Sequence, residues 1–223
     1  LCRQARERSL VSLIMTFAQH PSSVVKGEAP PLLLPVEERL ELIAALGAEA
    51  LLLVEFDAAL AASDPETFVR EYLQAKLGLN LLVIGYDFRF GAGGNGDTQL
   101  LAGLGHDLGF SVIEVPPVIL DGTVVSSTAI RWALAAGDVK TGARFLGRPF
   151  TVRGQVVTGQ RRGRRLGYPT ANIRLGPGAL WPRYGVYLVR IAFGRDKYYG
   201  VANVGVKPTF DRNEPGIEVF LFG

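Results

Sequence analysis

The sequence predicts an α/β domain built on a parallel sheet, followed by an all-β domain folded as a small antiparallel barrel. Two observations lead to this prediction. Up to about residue 146, short apolar runs alternate with longer amphipathic segments, which is typical of strands joined by helices. Beyond Gly147, short β-prone runs separated by glycine and proline replace the helical periodicity, which favours a barrel. We therefore expect two domains, residues 1–146 and residues 147–223.

The elements of the first domain follow from periodicity and from helix-start signals. Four apolar runs predict strands: Ser12–Phe17, Ala50–Val54, Leu81–Ile84 and Ser111–Val115. The triplet Asp64–Glu66 predicts a helix start, because an N-cap, a proline and an early carboxylate coincide there. Apolar residues at helical spacing then run from Phe68 to Leu77. Asp138 predicts the cap of a last helix that ends near Leu146.

Composition narrows the class of protein. Hydrophobic residues make up 48% of the 223 residues and charged residues 20%, which indicates a globular chain. The single cysteine, Cys2, excludes an internal disulfide and favours a cytoplasmic location. No apolar run reaches the roughly 18 residues of a membrane helix, so we expect no membrane partner. A net charge of +3 is too small to indicate nucleic acid, and the sequence carries no signal for an oligomeric state.

Two segments that follow predicted strands are candidate binding loops. Gly85–Gly91 comes directly after a buried strand, where ligands bind in open parallel sheets, and it contains Asp87. Gly85–Gly91 could instead be a strand-to-helix connection with a buried aromatic pair. The residues alone do not decide between a binding loop and this structural connection. Met15–Pro21 also lies at the end of a strand, and it contains His20. A single histidine is compatible either with a structural hydrogen bond or with a place in a binding site. We assign His106, within a predicted helix, to structure.

The segment Val125–Arg131 begins another predicted helix. Ser126 or Ser127 can act as its N-cap, which would explain both by structure alone. Helix N-termini also bind anions, and Arg131, one turn inside, could add a cation to the same phosphate. The combination favours a triphosphate cradle over a cap alone.

The second domain contains an arginine-rich loop between Gly159 and Asn172. Four arginines lie within Arg161–Arg165, and glycines punctuate the loop, which suits phosphate binding. A solvated hairpin loop and an RNA-binding loop are the alternatives. RNA is disfavoured because Tyr168 is the only aromatic nearby to stack on bases.

Thr170 and Asn172 alternate in this loop region, so in an extended segment both side chains leave the same face. Their oxygens are hard ligands of the kind that Mg²⁺ prefers. Pro169 fixes the backbone that enters this pair. The spacing therefore suggests a magnesium site, although threonine and asparagine are also frequent turn residues.

Taken in order, these motifs resemble the bacterial bifunctional riboflavin kinase and FAD synthetase family along nearly the whole chain. The matching segments are Thr-Phe-x-x-His-Pro from Thr16, Gly-x-Asp-Phe-x-Phe-Gly from Gly85, Ser-Ser-Thr-x-Ile-Arg from Ser126 and Gly-Tyr-Pro-Thr-Ala-Asn from Gly167. The resemblance implies a Rossmann-like nucleotidyltransferase domain followed by a riboflavin kinase-like barrel. It further implies ATP-dependent phosphorylation of riboflavin to FMN and adenylylation of FMN to FAD.

For the first domain, the resemblance implies roles at matching positions. The ATP phosphates would be held by Ser127, Thr128 and Arg131. The pocket shared by FMN and the nucleotide would be lined by His20 and Asp87. No covalent nucleophile is implied, so catalysis would depend on positioning and on charge stabilisation.

For the second domain, the resemblance implies a kinase site with Mg-ATP. Glu218 would be the catalytic base, and Thr170 and Asn172 would bind Mg²⁺. The ATP loop would comprise Gly163, Arg164, Gly167, Pro169 and Asn203. Two alternatives stay open: an adenylyltransferase for another nucleotide or phosphopantetheine with an accessory barrel, and a non-enzymatic RNA-binding barrel.

The chain is also expected to be truncated at both ends. It opens at Leu1 and holds one methionine, Met15, and the family's His-x-Gly-His motif would lie upstream. The alternating run from Ile217 to Gly223 predicts a strand for which no later segment provides a partner.

Overall fold

A computed structural model describes residues 1–158, 170–209 and 212–222. Contacts between residues divide the chain into two compact units. The first comprises Leu1–Pro30 and Val36–Val124, and the second comprises Pro31–Pro35 and Val125–Gly223. The short Pro31–Pro35 segment therefore belongs to the second unit, although first-unit residues flank it in sequence.

The first unit contains short strands joined by helices. Its strands are β1 (Leu13–Phe17), β2 (Ala50–Val54), β3 (Leu81–Gly85), β4 (Ser111–Val115), β5 (Ile119–Leu120) and β6 (Thr123–Val124). Its helices are α1 (Cys2–Glu7), α2 (Pro21–Val25), α3 (Val36–Ala45), α4 (Ala58–Ala62), α5 (Pro65–Thr67) and α6 (Thr98–Leu108). All four predicted strands are present.

The predicted parallel direction is also confirmed, because β1 pairs with β2 and β3 with β4 in parallel. Among the described residues these ladders form two separate pairs instead of one continuous sheet. Strands β5 and β6 form a small antiparallel hairpin that no sequence pattern predicted.

The helix predicted after Asp64 is present, but most of it is a π-helix instead of an α-helix. The Asp64 side chain caps α5 by accepting hydrogen bonds from the backbone N–H groups of Glu66 and Thr67. The helix then continues as a π-helix over Phe68–Ala75. In a π-helix the bonds run from i to i+5, so residues five apart share one side, and Phe68 and Leu73 are both buried. The prediction of helical packing as far as Leu77 is wrong, because that residue lies beyond the helix and is exposed.

The core of the first unit is assembled around this π-helical segment. Its buried residues come from the π-helix, from β3 and from α6 with the segments flanking it: Phe68, Val69, Leu73, Ile84, Phe90, Leu101, Leu104 and Phe110. This core fixes β3 and the loop that follows it, which contains Asp87.

The second unit begins with two helices, α7 (Ser127–Ala136) and α8 (Val139–Leu146). The predicted cap of α8 is confirmed, because the Asp138 carboxylate accepts a hydrogen bond from Thr141 N at 3.0 Å. Leu134 of α7 is fully buried and packs in an apolar cluster with Ile130 and Leu180. By their contacts α7 and α8 belong with the sheet that follows them, so the compact unit begins earlier than residue 147.

The rest of the second unit is a five-stranded antiparallel sheet. Its strands are β7 (Gly154–Val157), β8 (Thr170–Leu175), β9 (Gly185–Phe193), β10 (Asp196–Thr209) and β11 (Arg212–Leu221), in the order β7-β8-β11-β10-β9. Strand β11 is thus paired on both sides by earlier strands. Among the described residues β7 and β9 are the sheet edges, so the predicted barrel is present here as an open antiparallel sheet.

One face of this sheet forms the core of the second unit. Strand alternation places Leu175, Ala202, Val204, Ile217 and Val219 on that face, and all five are buried. The residues between them point to the opposite face. Glu218 lies there, flanked in sequence by two buried core residues that fix its direction.

Candidate functional site

The first turn of α7 leaves two hydroxyl residues exposed. Ser126 is the N-cap, and its Oγ accepts a hydrogen bond from Ala129 N at 3.1 Å. Ser127 and Thr128 then occupy the first two helical positions, and both are exposed. Backbone N–H groups at these positions have no partner inside a helix. Ser126 is therefore the serine that caps the helix, while Ser127 and Thr128 remain accessible to a ligand.

Arg131 lies one turn further along α7. Its Nε donates a hydrogen bond to the backbone carbonyl of Pro31 at 2.8 Å. Partial burial lowers the pKa of the Arg131 guanidinium, because removal from water disfavours the charged form. An arginine guanidinium is not deprotonated in proteins, so the group carries a positive charge. The structure thus brings Ser127, Thr128 and Arg131 together at one end of one helix.

His20 follows the carboxyl end of β1, in the first unit. It is the N-cap of α2, and its Nδ1 accepts a hydrogen bond from Ser22 N at 3.2 Å. The accepting role requires an unprotonated Nδ1, so a neutral ring carries its proton on Nε2. The hydrogen-bonding alternative is therefore present in the structure, and the proposed pocket role of His20 stays a prediction.

Asp87 lies in the turn that follows β3, and it is exposed. Phe88 N donates to the carbonyl of Gly85 at 3.1 Å, which closes this turn. Phe88 and Phe90 stack with ring centroids 5.7 Å apart, and Phe90 is buried. The loop therefore contains the packed aromatic pair that is expected of a strand-to-helix connection. It also exposes the Asp87 carboxylate to solvent at the carboxyl end of a parallel strand, as a binding loop would.

On the sheet, three predicted kinase residues form one row. Strand register pairs Glu218 of β11 with Asn172 of β8 on one side and with Asn203 of β10 on the other. Directly opposite residues in an antiparallel pair have Cβ atoms about 4.5–5.5 Å apart and point to the same face. We call these three residues the Asn172–Glu218–Asn203 row. It offers one carboxylate between two amides on three adjacent strands.

The three positions of the row differ in exposure. Asn172 is buried with 9% of its surface exposed, Glu218 is half-buried, and Asn203 is exposed. Thr170 lies two residues from Asn172 on β8 and is exposed on the same face. The sheet therefore brings together Glu218 and both predicted magnesium ligands. Asn203 lies on a paired strand beside Glu218, which corrects its placement in a loop.

Other predicted positions cannot be placed in the same way. Gly163, Arg164, Gly167 and Pro169, together with the Arg161–Arg165 cluster, lie outside the described residues. Among the residues that the structure does describe, no group of three or more histidine, cysteine, aspartate or glutamate side chains could hold a metal ion. Nor does this part of the chain contain a helix long and apolar enough to cross a membrane.

Two further features of the structure were not predicted from the sequence. An open groove of about 500 Å³ in the first unit is lined by residues of α6 and by Glu66, and it contains none of the predicted site residues. The other is the contact of Arg131 with the carbonyl of Pro31. The prolines of Pro30–Pro35 favour an extended backbone with free carbonyls, and this signal could have indicated such an acceptor.

Known proteins match both parts of the chain. A family model of FAD synthetase matches residues 1–129, and one of riboflavin kinase matches residues 146–223. A curated relative from Bacillus subtilis, named bifunctional riboflavin kinase/FMN adenylyltransferase, is 36% identical over 98% of this chain and 70% of its own length. The chain belongs to the bifunctional riboflavin kinase/FMN adenylyltransferase family.

A second curated relative and a solved structure are similar to the chain over nearly the same length. The Escherichia coli K12 protein of the same name is 36% identical over 99% of this chain and 71% of its own length. A crystal structure titled a macrolide-efflux protein from Streptococcus pneumoniae has a TM-score of 0.88 and 35% identity. It covers 99% of this chain and 72% of that one. The fold of that solved structure thus extends over nearly the whole of this chain.

Proposed function

We propose that this chain acts in flavin cofactor biosynthesis, phosphorylating riboflavin to FMN and adenylylating FMN to FAD with ATP. Family models for both activities match adjacent parts of the chain. The observation that carries the proposal is the Asn172–Glu218–Asn203 row, because three separately predicted residues meet through strand register. Three unrelated residues on three strands would not be expected to align in this way.

In the proposed kinase reaction, Glu218 accepts the proton of the ribityl 5′-hydroxyl as that oxygen attacks the γ-phosphorus of ATP, and ADP leaves. Its half-buried position between two strands holds the carboxylate in one direction, which favours general-base catalysis. Thr170 and Asn172 supply the hard oxygen ligands that suit Mg²⁺, and they share a face with Glu218. The bound ion would neutralise charge on the phosphates.

In the proposed adenylyltransferase reaction, the phosphate of FMN attacks the α-phosphorus of ATP, and pyrophosphate leaves. The first turn of α7 would hold the phosphates through Ser127, Thr128 and the free backbone N–H groups. Arg131 adds a fixed positive charge beside them. His20 and Asp87 are proposed to line the pocket for FMN and the nucleotide.

Three finer assignments belong to the same proposal. The functional domains are residues 1–146 and 147–223, the antiparallel sheet is part of a closed barrel, and the protein acts in the cytoplasm. The change from helical to β-prone sequence supports the boundary, and the single cysteine supports the location. The proposed ATP loop comprises Gly163, Arg164, Gly167 and Pro169.

Product analysis with two variants tests the proposal. The chain is incubated with ATP, Mg²⁺ and either riboflavin or FMN, and FMN and FAD are separated by chromatography. Glu218→Gln should lower FMN formation by about 10²–10⁴-fold, because the proton acceptor is lost. Arg131→Ala should instead lower FAD formation from FMN. Normal turnover in both variants, or adenylylation of another acceptor in place of FMN, would contradict the proposal.

A further inference from the structure

The segment Pro31–Pro35 crosses the second unit as a short strap, and it is the one part of that unit drawn from the first half of the chain. Leu32 forms a parallel bridge with Ala179. Leu32 N donates to the carbonyl of Gly178 at 2.7 Å, and Leu180 N donates to the carbonyl of Leu32 at 3.0 Å. Both backbone polar groups of Leu32 are therefore fixed to the segment 178–180.

Apolar packing holds the strap as well. Leu33 packs against the cluster formed by Ile130, Leu134 and Leu180, of which Leu134 is fully buried. Ile130 and Leu134 lie on the inner side of α7, the helix that contains Arg131. The strap and the helix therefore share one core and cannot move independently without exposing apolar surface.

The outer end of the strap reaches Arg131. The carbonyl of Pro31 accepts the hydrogen bond from Nε of Arg131 at 2.8 Å, across a separation of 100 residues in sequence. Proline fixes its own φ, which limits the directions available to this carbonyl. A guanidinium held at Nε keeps its terminal nitrogens for a second partner, and these can donate two parallel bonds to a phosphate.

We propose that the strap, through the carbonyl of Pro31, positions Arg131 to bind the phosphates of the nucleotide. Arg131 is the residue that touches the ligand, and Pro31 and Leu32 are positioning residues that act through it. The proposal rests on the proposed adenylyltransferase function. A held side chain loses less conformational freedom on binding than a free arginine, so the strap contributes to affinity without touching ATP. Partial burial of the guanidinium, seen in its lowered pKa, is consistent with this packing.

A pair of substitutions at Leu32 tests the strap. Leu32→Pro removes the N–H group that binds the Gly178 carbonyl, whereas Leu32→Ala keeps every backbone bond and serves as the matched control. Calorimetric titration with ATP, analysed for two sites, should show the Kd of the adenylyltransferase site raised about tenfold by Leu32→Pro and less than about twofold by Leu32→Ala. Riboflavin phosphorylation by the same preparations reports whether the second unit is folded.

A double-mutant cycle with Arg131→Ala separates positioning from general damage. In the Arg131→Ala background, Leu32→Pro should change the Kd for ATP by less than about twofold, because no guanidinium is left to position. A penalty that persists in this background would overturn the strap proposal. Normal ATP affinity of Arg131→Ala alone would instead overturn the adenylyltransferase site, and the strap proposal with it.

A second variant keeps the test possible if Leu32→Pro does not fold. If Leu32→Pro fails to phosphorylate riboflavin, Leu33→Ala replaces it in the same cycle, since it loosens the packing and keeps the backbone donors. We expect a Kd about threefold above that of the unsubstituted chain, again only where Arg131 is present. An equal change with and without Arg131 would refute the role of the strap.

Discussion

The first turn of α7 and the Asn172–Glu218–Asn203 row are both proposed to handle phosphates, but they are built differently. The helix end combines backbone donors that lack partners within the helix with an arginine held by a carbonyl far away in sequence. The row is a property of strand pairing, since three neighbouring strands place their side chains at one level. Helix α7 thus depends on packing and capping, whereas the row depends on register.

This difference matches the two proposed reactions. Adenylyl transfer needs charge stabilisation and positioning, which a helix end and an arginine provide. Phosphorylation of a hydroxyl needs a base as well, and a carboxylate on a central strand is held more rigidly than one on a loop. The comparison leads to four predictions about the packing, strand register and helix capping of the second unit.

The largest effect is expected from removing the packing beneath α7. Leu134→Ala removes a fully buried side chain and should lower the free energy of unfolding by about 2–5 kcal/mol. Trp132→Ala is the control on the same helix, because Trp132 is 75% exposed, and we expect about 0.5 kcal/mol or less. Urea denaturation measures both. Equal losses would show that α7 does not depend on this packing.

Strand register can be disturbed by a single methyl group. A Cβ at Gly200 would clash with the backbone carbonyl of Phe220, whereas a Cβ at Gly205 on the same strand meets nothing within 4 Å. Gly200→Ala should therefore cost about 1–3 kcal/mol of stability and impair FMN formation. Gly205→Ala should change stability by about 0.5 kcal/mol or less. Comparable behaviour of the two variants would refute a site that depends on register.

Two adjacent serines separate capping from binding at α7. Ser126→Ala removes the cap and should cost about 1 kcal/mol of stability, measured by denaturation. Ser127→Ala should leave stability nearly unchanged but raise the Kd for ATP about threefold, because its exposed hydroxyl no longer binds phosphate. The reverse pattern would assign the cap to Ser127 and remove it from the site.

The smallest effect concerns the charge of Asp138, the cap of α8. Hydrogen bonds from Thr141 hold the pKa of its carboxyl below the ordinary value of 3.8. A lowered pKa stabilises the fold above that value, and the contribution is lost as pH falls through the native pKa. Asp138→Asn keeps a capping oxygen without the charge, so it should be less stable than the unsubstituted chain at about pH 7, and this difference should shrink as the pH falls below the ordinary pKa of the carboxyl. A stability difference that does not depend on pH would exclude this origin.

Local sequence signals predicted the elements best. Ala50–Val54 and Ser111–Val115 form strands within the predicted bounds, and Asp64, Ser126 and Asp138 all cap helices. These signals succeed because each depends on side chains within a few residues. The π-helical form of Phe68–Ala75 was missed, since its hydrogen-bond pattern responds to packing that periodicity does not encode.

In the candidate site too, local features were predicted from the sequence, whereas contacts between distant residues were not. Sequence placed Glu218 and Asn172 in extended segments, but not at the same level on neighbouring strands, because register depends on contacts between distant residues. The partner of Arg131 was missed for a similar reason, since it is a backbone carbonyl with no side-chain signature. Motif resemblance named most of these residues without giving their arrangement.

The strap also affects the order in which the chain can fold. During synthesis, Pro31–Pro35 is made long before α7 and the segment 178–180, to which it binds. Contacts between residues so distant in sequence form late, because closing a long loop costs entropy before the contact repays it. Arg131 would therefore reach its final position only after most of the second unit has been made. Assembly of the phosphate site thus becomes one of the last steps of folding.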